Sequence, residues 1–193
     1  MSVRSAAGRS AALAILLAAC ATSTDSSSTQ IQAADGTTVA PLMVASGHVH
    51  VLLFVTPDCP IANSYAPLIS ALLRQVAGTF VQVYLVYVDP DLTAAQANQH
   101  AREYELDLPL LLDREQRVAT ALGVKITPSA AVLTAFGLQY IGRIDDRWRK
   151  LGVDGQVAEH NDLLDAINAV QTGKPVLEAR TIAVGCRLPQ RLP

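Results

Sequence analysis

The chain has 193 residues, half of them hydrophobic, which is enough for one domain with a real core and short extensions. Only 17% are charged, the formal net charge is −2 and aromatics make up 5%. Neither a basic surface nor a stacking platform for nucleic acid is therefore available. The three cysteines, Cys20, Cys59 and Cys186, are the residues most suited to carrying chemistry.

Residues 1–19 read as a signal peptide. Arg4 and Arg9 form a basic start, and Ala11 to Ala19 is an apolar stretch too short to span a bilayer. Its end, Leu17-Ala18-Ala19-Cys20, resembles the lipobox of bacterial lipoproteins. That resemblance implies that Cys20 becomes the mature N-terminus and carries lipid, anchoring the chain to a membrane in the cell envelope and facing the periplasm. The alternative is an ordinary secretory signal with a chance cysteine. Ala21 in place of Asp leaves inner against outer membrane open. Loss of Arg4 and Arg9 from 15 basic residues, set against 17 acidic ones, takes the charge to −4.

Residues 20–31 contain ATSTDSSSTQ, apolar-poor and unable to pack, and read as a flexible tether. The folded domain is expected over residues 32–174, with a tail over 175–193. Asp35-Gly36 marks a turn before a short β segment. His48 to Val55 is a continuous apolar run, expected as a strand buried on both faces. Pro60 suits a helix start, and Ala66, Ile69, Leu72, Leu73 and Val76 recur at helical spacing before Gly78. Phe80 to Val88 reads as a second, parallel strand ended by Asp89-Pro90. Thr93 to Tyr104 reads as a helix, Leu108 to Leu112 as a short strand or extended segment, and Glu115 to Leu122 as a helix closed by Gly123. Ser129 to Thr134 and Leu138 to Ile144 form a hairpin around Phe136-Gly137, and Val157 to Thr172 is the final helix. Two βα units, a hairpin and a covering helix give a mixed sheet flanked by helices.

Cys59 falls where the first long strand gives way to a helix. Unpaired N–H groups at a helix start favour a thiolate, the nucleophilic form of cysteine. With Pro60 as the first helical residue, the sulfur is expected to accept from the N–H of Ile61 and of Ala62 or Asn63; Asp58 beside it opposes thiolate formation. A buried structural cysteine is the bland alternative. If Cys20 carries lipid, Cys59 and Cys186 are left as a pair in an oxidising compartment, which suits a disulfide at some stage of a cycle.

The element order, with FVTPDCP at the first strand's end, resembles the thioredoxin-like fold. Thr127-Pro128 before a strand resembles the cis-proline loop of thioredoxins. LLDREQRVATALGV resembles the segment preceding that loop in peroxiredoxins and periplasmic thiol–disulfide reductases. DCPIANSYAP, GRIDDRW and the terminal VGC together resemble secreted bacterial redoxin-domain proteins related to the alkyl hydroperoxide reductase/thiol-specific antioxidant family. The resemblance covers about Gln32 to Thr172 and implies an α/β thioredoxin-like mixed β-sheet flanked by helices, followed here by an extended tail.

Departures narrow the chemistry. Ala62 stands where thioredoxins carry their second cysteine, and Asn63 where copper-carrying oxidase assembly factors carry theirs. Thr56 matches the peroxiredoxin threonine, but Leu52 replaces the proline of that motif and no arginine follows Pro128. The resemblance implies Cys59 as nucleophile, Pro128 in cis form and Thr127 offering its backbone to a sulfur-bearing partner. Cys186 is the candidate resolving thiol: the run from Gly173 spans up to roughly 40 Å, more than the helix it must retrace, and Gly185 permits close backbone approach. An unpaired tail thiol or an intermolecular bridge is the alternative.

Asp145, Asp146, Arg147 and Trp148 follow the last strand and are expected at the same sheet edge as Cys59. Arg143 or Arg147 could stabilise a thiolate or a peroxide oxygen, and Asn63 or Tyr65 could hydrogen-bond at the site or equally serve as structural caps. Set against this, the arginines also suit a charged surface loop. His48 and His50 lie at the far strand end and read as ordinary histidines; His160 with both cysteines is a copper option that no metal-ligand spacing supports. The expected activity is thiol–disulfide exchange with protein or small-molecule thiols and disulfides, without a cofactor or resident metal. The competitors are a thiol peroxidase acting on peroxides, a Cu(I)-binding module and an adaptor with silent cysteines.

Overall fold

The computed structural model describes residues 29–152 and 157–190. The signal peptide over 1–19, Cys20 and nearly all of the tether lie outside the described residues. The elements are β1 (Ile31–Ala33), β2 (Thr38–Val39), β3 (Val49–Val55), α1 (Pro60–Ser64), α2 (Ala66–Val76), β4 (Val81–Tyr87), α3 (Ala94–Glu103), β5 (Leu110–Leu112), α4 (Arg117–Leu122), β6 (Ile126–Thr127), β7 (Ser129–Thr134), β8 (Gly137–Gly142), α5 (Asp162–Gln171) and β9 (Cys186–Arg187).

Seven strands form one mixed sheet in the order β2-β1-β5-β4-β3-β7-β8. β3 pairs in parallel with β4 from Val49↔Val81 to Val55↔Tyr87, and β4 pairs in parallel with β5. β7 runs antiparallel to β3 and to β8, so β8 points the same way as β3. The C-terminal ends of β3 and β8 therefore share an edge. Strand periodicity sends Val51, Leu53 and Val55 to one face and Leu52 and Phe54 to the other. The first group packs with Ile69 and Leu72 of α2, Ala97 of α3 and Leu163 and Ile167 of α5. The second packs with Val118 and Ala119 of α4. Burying a Leu or Phe side chain contributes about 1.5–3 kcal/mol, so this two-sided strand anchors the domain.

The structure departs from the sequence reading at three places. The helix after Cys59 is broken at Tyr65, because Pro67 in the first turn of α2 has no N–H to donate into a preceding turn. The last helix begins at Asp162 rather than near Val157. There the Asp146 carboxylate takes the N–H groups of Glu159 (2.7 Å) and His160 (3.0 Å), holding those residues in a turn. The tail is not merely extended: Arg180 bridges to Ile141 of β8, and β9 pairs with β6. Among the described residues, no helix is long and apolar enough to cross a membrane.

Candidate functional site

β3 ends in a tight turn, Thr56–Asp58, closed by the Cys59 N–H donating to the Thr56 carbonyl at 3.2 Å. Cys59 then sits at the N-cap of α1 with extended backbone, ahead of Pro60. Its sulfur accepts no bond from the helix N–H groups, contrary to the expectation for Ile61, Ala62 and Asn63. The thiol instead donates to the Thr127 carbonyl at 3.4 Å. The reason is packing: Cys59 is only 1% exposed, and its side chain turns inward to the neighbouring loop rather than back over its own helix.

That loop is the Thr127-Pro128 segment, whose peptide bond is cis. Both residues are buried. The Thr56 and Thr127 hydroxyls are 3.3 Å apart, tying the turn before Cys59 to the loop that faces it. The Ser129 hydroxyl donates to the Ile126 carbonyl at 2.6 Å and braces the loop from the other side.

The tail completes the site. Cys186 lies directly opposite Thr127 in the β6–β9 ladder. It packs against the buried cluster that holds Cys59, and both cysteines are free thiols. Burial, then the neighbouring Cys59 sulfur, push the Cys186 thiol up to about 12, so it stays protonated at neutral pH. A side chain at Gly185 would collide with the Thr127 carbonyl and the Pro128 ring. Only glycine lets the tail approach this closely. Upstream, the tail is pinned by Thr181, whose hydroxyl takes the Arg143 N–H at 3.0 Å and lies 2.7 Å from the Tyr140 hydroxyl. Downstream, the Leu188 N–H donates to the Lys125 carbonyl and the Gln116 amide to the Pro189 carbonyl.

The charged residues after β8 are placed differently from the sulfur pair. Arg143 forks onto Asp162 at 2.8 and 3.1 Å. Arg147 grips the buried Asp145 at 2.8 Å and lies 4.8 Å above the Tyr65 ring, while the Tyr65 hydroxyl donates to Asp145 at 2.8 Å. Both guanidinium groups are thus engaged by carboxylates. Trp148 is half-buried, with its indole N–H 3.3 Å from the Ser64 hydroxyl. Asp146 holds the turn before α5 and pairs with Arg149 at 3.4 Å. The Asp146, Glu159 and His160 side chains lie together, apart from the cysteines by every bond they make. His50 bonds the Pro41 carbonyl and His48 packs on Phe80, at the sheet end away from Cys59.

The sequence reading missed His100 altogether. It is buried on α3, with Nε2 3.0 Å from Asn63 Oδ1 and Nδ1 2.8 Å from the Tyr87 hydroxyl. Nothing in the local pattern marks it; only the Asn63 position one turn beyond Cys59 pointed in this direction.

Residues 24–145 match the family model described as the AhpC/TSA family. The chain belongs to the AhpC/TSA family. No curated protein matches it. Among solved structures, this AhpC/TSA chain is similar to a hypothetical protein from Sinorhizobium meliloti (23% identity, TM-score 0.68, covering 82% of this chain and 88% of that one). It is also similar to an uncharacterised conserved protein from Geobacillus kaustophilus (20%, 0.70, 84% and 88%). A third is a secreted Mycobacterium tuberculosis disulfide oxidoreductase homologous to E. coli DsbE (19%, 0.54, 76% and 98%). At these identities the likeness is one of fold, and the fold is thioredoxin-like.

Proposed function

We propose that this AhpC/TSA chain is an envelope-located thiol–disulfide oxidoreductase, held at a membrane by lipid on Cys20, with Cys59 as nucleophile and Cys186 as resolving thiol. The observation that carries the reading is that Thr127 joins the two cysteines: its carbonyl accepts from the Cys59 thiol, and its partner across the β6–β9 ladder is Cys186. In the reductive direction Cys59, as thiolate, attacks one sulfur of a partner disulfide. The partner's S–S bond breaks, one partner sulfur leaves as thiolate, and a mixed disulfide forms. Cys186 loses its proton and attacks the Cys59 sulfur; the mixed disulfide breaks and the second partner thiol leaves. Two electrons pass to the partner and the Cys59–Cys186 disulfide remains. The reverse sequence oxidises a dithiol partner.

The Thr127 carbonyl that accepts from Cys59, and the Pro128 ring beneath it, support a role in orienting the attacking sulfur. Thr56 supports that loop through its hydroxyl. Trp148, half-buried beside Ser64 of α1, suits contacts to a partner segment, whereas the Asn63 amide is engaged by Pro57 and His100. Arg143, Asp146 and Arg147 are better suited to holding the tail, the turn before α5 and the Tyr65 ring than to binding substrate, because their charges are already satisfied.

Family membership favours a second reading as a thiol peroxidase. Cys59 would then attack a peroxide oxygen, releasing water or an alcohol, and the resulting sulfenic acid would condense with Cys186 and release a second water. The two readings separate in one comparison. The reduced chain is mixed with a model peptide disulfide or with hydrogen peroxide, in the presence of a thiol donor, beside a Cys59→Ser control. Turnover of the disulfide alone supports exchange; peroxide consumption above the control replaces that reading with the peroxidase.

A further inference from the structure

The turn that presents Cys59 is held from one side by an unusual relay. The Pro57 carbonyl accepts from the Asn63 side-chain amide at 2.7 Å. Asn63 Oδ1 faces His100 Nε2 at 3.0 Å, and His100 Nδ1 faces the Tyr87 hydroxyl at 2.8 Å. Tyr87 is fully buried on β4, opposite Val55 at the end of β3, the strand that leads into the Cys59 turn.

The partners fix the direction of every bond. Asn63 spends its N–H on Pro57, so its oxygen must accept. His100 Nε2 therefore carries a hydrogen. In the neutral ring Nδ1 is then an acceptor, and Tyr87 donates to it. A ring with its hydrogen on Nδ1 would face Asn63 Oδ1 with a lone pair, turn the amide over and leave the Pro57 carbonyl against an oxygen. The Pro57 carbonyl thus sets the Asn63 amide, Asn63 sets the His100 tautomer, and the Tyr87 hydroxyl follows by donating to Nδ1.

The relay also survives a change of charge. If His100 gains a proton, Nδ1 donates to Tyr87, and the Tyr87 hydroxyl can turn to the Ala97 carbonyl at 3.3 Å. Burial lowers the His100 pKa, while Glu103 on its own helix and Asp58 in the Cys59 turn oppose that shift; the rings of Tyr87 and Tyr104 also pack against it.

We propose that His100 is a positioning residue for Cys59: through Asn63 it holds the Pro57 turn in the one conformation that sets the Cys59 sulfur against Cys186. His100 touches neither cysteine. The inference rests on the dithiol reading above and adds to it the group that raises the effective concentration of one thiol at the other.

The test is the equilibrium constant for closing the Cys59–Cys186 disulfide in glutathione buffers, read by peptide-resolved mass analysis. The chain from residue 21 onward keeps every described element and is compared with its His100→Leu, His100→Gln and Asn63→Ala variants. Leucine removes the donor; glutamine can still donate to Asn63. His100→Leu is expected to lower the constant about five- to tenfold, the range of one lost buried hydrogen bond, and His100→Gln to restore it. Asn63→Ala is expected to match His100→Leu, with no further loss when the two are combined.

Equal constants in the parent, leucine and glutamine chains overturn the proposal. So does an equal loss with leucine and glutamine, the mark of simple packing. Should His100→Leu not fold, an Asn63→Ala constant equal to the parent's overturns it just as directly. Failure of the parent itself to form the internal disulfide removes the dithiol reading, and this inference with it.

Discussion

Cys186 faces Thr127 across a two-residue antiparallel ladder, and the same Thr127 carbonyl accepts the Cys59 thiol hydrogen at 3.4 Å. One main-chain residue therefore touches both thiol-bearing segments. The arrangement fixes the tail from three sides: Thr181 anchors it to the end of β8, Gly185 lies against the Pro128 loop, and Leu188 continues the ladder to Lys125.

Gly185 is the point at which this docking breaks most cleanly. A methyl group there meets the Thr127 carbonyl and the Pro128 ring, both held by buried neighbours. Gly185→Ala is expected to free the tail while leaving the seven-stranded sheet intact. Cys186 would then be alkylated at least as fast as a free thiol, the internal disulfide would form poorly, and the urea midpoint would fall only slightly. A variant that closes the disulfide as readily as the parent contradicts this.

Alkali should release the tail by another route. Docking raises the Cys186 pKa to about 12 from an ordinary value of 9.0, so the docked tail holds its proton more tightly than the released one. Its contribution is complete below pH 9 and is lost as pH rises from 9 through 12. Titration of thiolate absorbance in the reduced chain should show one sulfur ionising near the top of that window, and Gly185→Ala should bring it back toward 9. A Cys186 that ionises near 9 in the parent chain contradicts the buried contact.

Much of this architecture was legible in the sequence. Val49 to Val55 announced a two-faced central strand, and Asp58-Cys59-Pro60 announced a turn into a helix with Cys59 at its start, because apolar continuity and Pro at a helix start are local signals. The return of the tail was legible from chain reach and from Gly185. The two-residue strands β6 and β9 were not, since their pairing depends on residues 59 positions apart in sequence (Thr127 and Cys186). His100 was invisible for the same reason: its partner Asn63 lies 37 positions away, and a histidine on a polar helix looks like a surface residue. Arg143 and Arg147 read as groups that could stabilise a thiolate or a peroxide oxygen because a guanidinium beside a sheet edge has that capacity; the carboxylates that satisfy them, Asp162 and Asp145, are joined to them only by the fold.

Tyr65 gives a prediction about stability rather than redox chemistry. Its hydroxyl is one of the donors to Asp145, which is 1% exposed, and Arg147 stacks on its ring. Tyr65→Phe keeps the ring and the stacking but removes one donor from a buried carboxylate. It is expected to cost about 1–3 kcal/mol in urea unfolding, with the glutathione equilibrium of the disulfide unchanged. An unchanged midpoint would mean that Arg147 alone satisfies Asp145.

The most direct measurement is thiol counting with non-reducing peptide mass analysis of the chain from residue 21 onward, before and after mild oxidation. Loss of both thiols from a monomer, with a peptide linking Cys59 to Cys186, is the expected result. Two thiols that persist, or a link that joins two chains instead of one, would contradict the internal dithiol cycle.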